Sequence, residues 1–153
     1  MASVRHFEPL IIAAGARAET NQHRIRFGLL WGKNHFRDLV PEPHTYTPRV
    51  LHDRNSDFGL AVEKAAWGLK FGSTSFRAEW NRLGDKAGPA RNERMVVEGM
   101  ALAKGQTSAF ADLVVCVAFP TRVGDPEVWD CVQKAAAVGI PTLVIPFGGM
   151  WAR

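Results

Sequence analysis

The stretch Leu113-Val114-Val115-Cys116-Val117-Ala118-Phe119, followed by Pro120-Thr121-Arg122-Val123-Gly124-Asp125-Pro126-Glu127, decides the fold. An unbroken apolar run this short, rich in β-branched residues and without polar alternation, predicts a strand buried on both faces, as in a parallel sheet. The aspartate, proline and glutamate that follow are the N-cap, first-position proline and first-turn carboxylate of a helix. Val128, Cys131, Val132, Ala135 and Val138 supply the buried stripe of that helix, Gly139 ends it, and residues 140–147 read as the next strand.

The same alternation extends toward the N-terminus. Leu10-Ile11-Ile12-Ala13-Ala14 reads as a first buried strand running into Gly15-Ala16-Arg17, and residues 22–36 as a helix through Ile25, Leu29, Leu30 and Phe36. Residues 40–48 hold Pro41, Pro43 and Pro48 and predict a loop, with a short second strand at 49–52. Asn55-Ser56-Asp57 offers N-cap candidates for a helix with Leu60, Val62, Ala65, Ala66, Trp67 and Leu69 on its apolar face, and residues 74–80 read as a third strand. Gly88-Pro89 opens a further helix carrying Met95, Val96, Met100 and Leu102. Five strands alternating with four helices predict an α/β fold: one Rossmann-like three-layer sandwich over residues 1–153, built on a mostly parallel five-stranded sheet.

Composition fits that reading. The chain has 153 residues, 46% hydrophobic and 22% charged, the size and balance of one domain with a proper core. No apolar run reaches the roughly 20 residues that span a bilayer, and the opening residues lack a leader pattern, so a cytoplasmic protein without membrane association is expected. Cys116 and Cys131 read as small core residues, and the histidines at 6, 23, 35, 44 and 52 lack zinc-site spacing, so no metal is expected. The net charge of +4 is spread along the chain, which admits an anionic ligand but does not predict nucleic-acid binding.

In open parallel sheets ligands bind beyond the carboxyl ends of the strands, where the strand order reverses. That rule selects three segments. Gly15 allows close approach after the first strand and Arg17 sets a forked cation beside it. Asn55, Ser56 and Asp57 stand at the turn after the second strand, and Thr121, Arg122 and Gly124 precede a helix whose free N–H groups can receive an anion. Each also has a purely structural reading as an ordinary turn or cap. No Gly-x-Ser-x-Gly elbow, Walker-type loop or full dinucleotide fingerprint occurs, which argues against the corresponding hydrolase, NTPase and dehydrogenase chemistries and leaves the catalytic residues, if any, unassigned.

The most specific motif is Trp80-Asn81-Arg82-Leu83-Gly84-Asp85-Lys86-Ala87-Gly88-Pro89-Ala90-Arg91-Asn92-Glu93-Arg94-Met95. A tryptophan, a short polar loop, then Ala-Gly-Pro-x-Arg-Asn and a methionine resembles the YspA-type branch of the SLOG superfamily, a Rossmann-like group that includes lysine-decarboxylase-like and DprA-like proteins. The resemblance extends to Gly15 and Arg17, to Ala111-Asp112-Leu113-Val114-Val115 and to Ala137-Val138-Gly139-Ile140-Pro141-Thr142. It implies a nucleotide-derived, phosphate-bearing ligand such as an ADP-ribose-like molecule, with Gly88 keeping the approach open and Arg91 and Asn92 facing the anion from the first turn of their helix. On that reading Arg91→Ala weakens ligand binding more than the fold.

Two departures qualify it. Where such relatives carry Gly-Ala-x-Gly-Ala-Asp after the second strand, this chain has Asp53-Arg54-Asn55-Ser56-Asp57-Phe58-Gly59. Members with phosphoribohydrolase activity carry Pro-Gly-Gly-x-Gly-Thr-x-x-Glu, of which Pro120 and Gly124 match. Glu127 falls one residue early, a rotation of about 100° on a helix, so it is expected to point elsewhere, with action of Asp125 or Glu127 on a bound glycosidic bond left as the alternative. A sensing or sequestering module is therefore preferred to an N-glycosidic phosphoribohydrolase of nucleoside monophosphates or a DprA-like single-strand binder. Five tryptophans suggest a homodimer face or pocket lining for some and core packing for most.

Overall fold

Leu10–Gly15, the strand β2, lies at the middle of a five-stranded sheet because every one of its residues up to Ala14 is buried and apolar, and such a strand needs cover on both faces. The computed structural model describes residues 4–54, 56–106, 113–121 and 125–146. In chain order its elements are β1 (His6–Phe7), β2, α1 (Gln22–His35), β3 (Thr45–Tyr46), β4 (Arg49–Asp53), α2 (Asp57–Gly68), β5 (Gly72–Phe76), the short α3 (Trp80–Leu83), a 3-10 turn (Gly84–Lys86), α4 (Ala87–Gln106), β6 (Val114–Phe119), α5 (Pro126–Ala137) and β7 (Thr142–Val144).

The sheet order is β5-β4-β2-β6-β7, and every pairing in it is parallel. The chain builds outward from β2 to β4 and β5, then returns to β6 on the other side. That reversal places the switch point between β2 and β6, whose pairing runs from Leu10–Val114 to Gly15–Phe119. The fold is a Rossmann-like three-layer sandwich, all-parallel where the sequence predicts mostly parallel.

Two apolar layers hold it together. On one face Ile11, Ala13, Val115 and Val117 pack under α1 and α2 through Ile25, Leu29, Phe58, Val62 and Ala65. On the other, Leu10, Ile12, Val114 and Cys116 pack under α4 and α5 through Met95, Val96, Val128, Cys131 and Ala135. The alternation along β2 and β6 divides their side chains between the two layers. Both cysteines are buried and free, as expected. A hydrogen bond with Cys131, reinforced by burial, holds the Cys116 thiol well above the usual thiol range.

Several sequence expectations shift. The proline-rich segment contains β3, which pairs in parallel with β1 as a separate two-stranded ribbon. The third strand is β5, Gly72–Phe76, and Trp80 starts α3 instead of ending a strand. The last strand is shorter than residues 140–147, and Phe147 lies outside the described residues. Helix α4 starts at Ala87, directly after the 3-10 turn, so Pro89 is its third residue and Arg91 and Asn92 stand in the second turn. On α2 the buried face is Phe58, Ala61, Val62, Ala65 and Ala66, whereas Leu60 and Trp67 point outward and Leu69 is only partly buried. Leu30, Leu102 and Val138 are exposed as well. Among the described residues no tryptophan is in the core: Trp31 and Trp67 are exposed, Trp80 and Trp129 half-buried.

Candidate functional site

The turn after β2 and the start of α5 face each other across a cleft of about 600 Å³ at the switch point, lined by Gly15, Ala16, Arg17, Ala18, Thr121, Asp125, Pro126, Glu127 and Val128. Its size is that of a small-molecule site. Its position follows from the topology, because β2 and β6 are neighbours whose following segments leave on opposite faces of the sheet, α1 on one and α5 on the other.

Arg17 is the cation of this cleft. Its guanidinium carbon lies 5.0 Å over the Trp80 ring, and it makes no ion pair among the described residues. The indole fixes the direction of the arginine without neutralising it. Opposite it, Asp125 occupies the N-cap position of α5 but makes no side-chain cap bond; its carboxylate accepts from the Thr121 N–H at 2.8 Å. The aspartate thus closes the loop between β6 and α5, and the first turn of α5 faces the cleft without the expected cap.

Glu127 enters the same cleft, contrary to the expectation that a one-residue offset turns it away. The reason lies in its neighbours on α4. Arg91 Nη2 stands 3.5 Å from Glu127 Oε2, and a Cβ on Gly88 would lie 2.8 Å from Glu127 Oε1. Gly88 therefore makes room for a carboxylate of the protein itself. Asn92 completes the arrangement: its Nδ2 donates to the Glu127 carbonyl and to Asp130 Oδ2, each at 3.0 Å, while its Oδ1 accepts from Arg91. Lys134 joins Asp130 to the Pro89 carbonyl.

Arg91 and Asn92 are thus buried behind the cleft, bridging α4 to α5 and setting the side chain that lines it. This placement favours a structural role, tying α4 to α5, over the anion-facing role that the resemblance implies. Arg91→Ala is expected to lower stability by about 1–3 kcal/mol, because the buried Asn92 Oδ1 loses its donor and Glu127, which keeps partial access to water, loses the cation 3.5 Å away. Urea unfolding checks this through a lower midpoint at unchanged slope.

The turn after β4 is closed on itself. The Asp53 carboxylate accepts from the Ser56 N–H at 2.9 Å and from its hydroxyl at 2.7 Å, and the Ser56 Oγ accepts in turn from the Gly59 N–H at 3.1 Å. Ser56 is the N-cap of α2 and Asp57 is an exposed first-turn carboxylate; neither lines the cleft. Gly15 lines it, yet its need for glycine is internal: a Cβ there would lie 2.3 Å from the Phe58 ring, and its φ is not positive. Asn55, Arg122 and Gly124 lie outside the described residues.

Of the expected site residues, the structure brings Gly15, Arg17 and Thr121 into one cleft, sets Gly88, Arg91 and Asn92 behind its Glu127 wall, and places Ser56 and Asp57 in a neighbouring turn. Sequence reasoning missed Arg24, which shapes the site from beneath. It is almost fully buried, and its guanidinium donates to the carbonyls of Pro120 (2.5 Å), Ile145 (2.8 Å) and Pro146 (3.1 Å) and to Glu19 (2.7 Å). It ties the carboxyl ends of β6 and β7 to α1. The available signal was helical phase, since Arg24 precedes Gly28 and Gly32 by four and eight residues on the inward line of α1. In comparisons with known proteins, no family model, no curated protein and no solved structure matches the chain.

Proposed function

We propose that the cleft between β2 and α5 binds a nucleotide-derived, phosphate-bearing small molecule, such as an ADP-ribose-like ligand, and that the protein senses or sequesters it. The observation that carries this reading is Arg17, an arginine without an ion-pair partner among the described residues, held on Trp80 at the switch-point cleft and facing the start of α5. A phosphate meets the guanidinium and the first-turn N–H groups, while Asp125 and Glu127 offer acceptors for sugar hydroxyls on the same wall. The two carboxylates make the cleft amphoteric, which suits a ligand with hydroxyls beside its phosphate better than a bare anion. The resemblance of residues 80–95 to the YspA-type branch of the SLOG superfamily agrees with this reading.

A thermal-shift screen of nucleotides, ADP-ribose and ribose phosphates tests it. A ligand present at a hundred times its Kd adds about 2.7 kcal/mol of stability, a rise in Tm of roughly 5–10 °C for a chain of this size. Arg17→Ala is expected to fold normally and to bind the best compound about ten- to a hundredfold more weakly, the loss of one charge-assisted contact. Unchanged affinity in a folded Arg17→Ala protein would remove the phosphate site from Arg17.

A second reading is favoured by one observation, the entry of Glu127 into the cleft with Arg91 fixing its carboxylate. In an N-glycosidic hydrolase of nucleoside monophosphates that carboxylate would meet the sugar or its attacking water. Release of free base from a bound nucleoside monophosphate, abolished in Glu127→Gln, distinguishes turnover from binding alone.

A further inference from the structure

On the face of the sheet that carries α1 and α2, large apolar side chains and cations of both helices point outward. Helix α1 presents His23, Arg26, Phe27, Leu30 and Trp31, and α2 presents Leu60, Lys64 and Trp67 at a spacing of four and three residues. Five of them, Phe27, Leu30, Trp31, Leu60 and Trp67, are large apolar side chains left open to solvent, Leu60 and Trp67 at 65% of their full exposure. Between the helices runs a groove of about 730 Å³ lined by Gln22, His23, Arg26, Lys64, Trp67 and Gly68.

Two cations line it, Lys64 and Arg26, and the Arg26 guanidinium lies over Gly68 of α2. Neither Arg26 nor Lys64 forms an ion pair among the described residues. Helix α1 contains no acidic residue, and on α2 Glu63 is turned toward His52, at 3.9 Å from its Nε2, leaving Asp57 in the first turn.

We propose that this groove is a docking site for an acidic amphipathic helix of a partner protein. Exposed tryptophan, phenylalanine and arginine are the residue types that anchor protein interfaces, and a groove between two packed helices accepts a third. Charge decides among the occupants. A two-fold interface uses the same face of both copies, and among the described residues this face offers only Asp57 as an outward carboxylate to set against Arg26 and Lys64, which disfavours a homodimer here. Lys64 stands between Leu60 and Trp67 on one stripe, so its counter-charge must be interleaved with apolar groups, as on an amphipathic helix and not in a plane of lipid headgroups. Trp67 is the one large aromatic among the described residues lining the groove, and Phe27 and Trp31 meet edge to face with ring planes 63° apart, so successive bases of a nucleic acid strand would find no row of parallel rings.

The test uses three fluorescein-labelled helical peptides with one Leu/Phe stripe and flanks of Glu, Gln or Lys, titrated against the whole protein by anisotropy. The Glu peptide is expected to bind at least about tenfold more tightly than the Gln peptide and the Lys peptide most weakly. The double change Arg26→Glu with Lys64→Glu is expected to reverse that order, and Arg17→Ala, in the cleft at the strand ends, to leave it unchanged. Circular dichroism establishes that each variant is folded. Equal binding of the three peptides, or binding of none at millimolar concentration, overturns the proposal. So does tighter binding of oligothymidylate or anionic vesicles through the same two cations, or a dimer in sedimentation that Trp67→Glu dissolves.

Discussion

Replacing Arg24 with methionine is expected to cost about 3–5 kcal/mol of stability, the largest loss expected from a single polar side chain among the described residues. Methionine fills the volume of the aliphatic stem but leaves the carbonyls of Pro120, Ile145 and Pro146 without their donor and Glu19, itself nearly buried, without its cation. The carbonyls of Pro120 and Ile145 are buried and lose their donor without regaining water. The guanidinium also lies 5.8 Å from the centre of the Phe119 ring, at the last residue of β6. For a domain of this length the loss corresponds to a fall in Tm of roughly 6–20 °C. Arg24→Lys is expected to recover only part of it, because one ammonium cannot reach four acceptors in a fixed fork. Thermal melts of both variants check the prediction, and a Tm within a degree or two of the parent would show that the arginine is not a clamp.

Gly59→Ala is expected to destabilise by about 3 kcal/mol although it adds a single methyl group to a helix, where alanine ordinarily helps. A Cβ at this position would lie 2.1 Å from the Asp53 carbonyl oxygen and 2.9 Å from Asp53 Oδ1. The backbone of β4 cannot give way without breaking the bonds of Asp53 to Ser56, and with them the N-cap that accepts from the Gly59 N–H. The close approach that glycine permits here serves helix α2 and the protein's own aspartate. Urea unfolding measures the effect, and a variant as stable as the parent would mean that the turn yields more readily than its hydrogen bonds suggest.

The layers of the fold were legible because apolar runs and caps report them directly. Helix α1 was read to within a residue at each end, and β2 and β6 are the unbroken apolar runs of the sequence. The two-residue strands β1 and β3 carry no periodicity at all, and prolines on either side of β3 hid it. On α2 apolar residues occupy both faces, so pattern alone could not choose; the sheet selected Ala61, Ala65 and Ala66, whose small side chains let the helix approach, and left Leu60 and Trp67 outside.

The site was legible where topology alone sets it. The strand-end rule located Gly15, Arg17 and Thr121, since it needs only the order of elements. It could not show that Arg91 meets Glu127, because that pair, separated by 36 positions, depends on how α4 packs on α5. Nor could it show Trp80 beneath Arg17. Gly15 and Gly88 were read as openings toward a ligand, whereas they accommodate Phe58 and Glu127 of the protein itself, as Gly59 accommodates Asp53.

Amide chemical-shift mapping with ADP-ribose tests most directly whether a phosphate-bearing nucleotide derivative binds in the switch-point cleft. Saturable shifts are expected at residues 15–18, at Thr121 and at the start of α5, with the Trp80 indole N–H moving as Arg17 engages the phosphate and the α1–α2 groove unaffected. Absence of shifts with ADP-ribose and with simple nucleotides at millimolar concentration, or shifts centred on another face of the sheet, would contradict binding in the cleft.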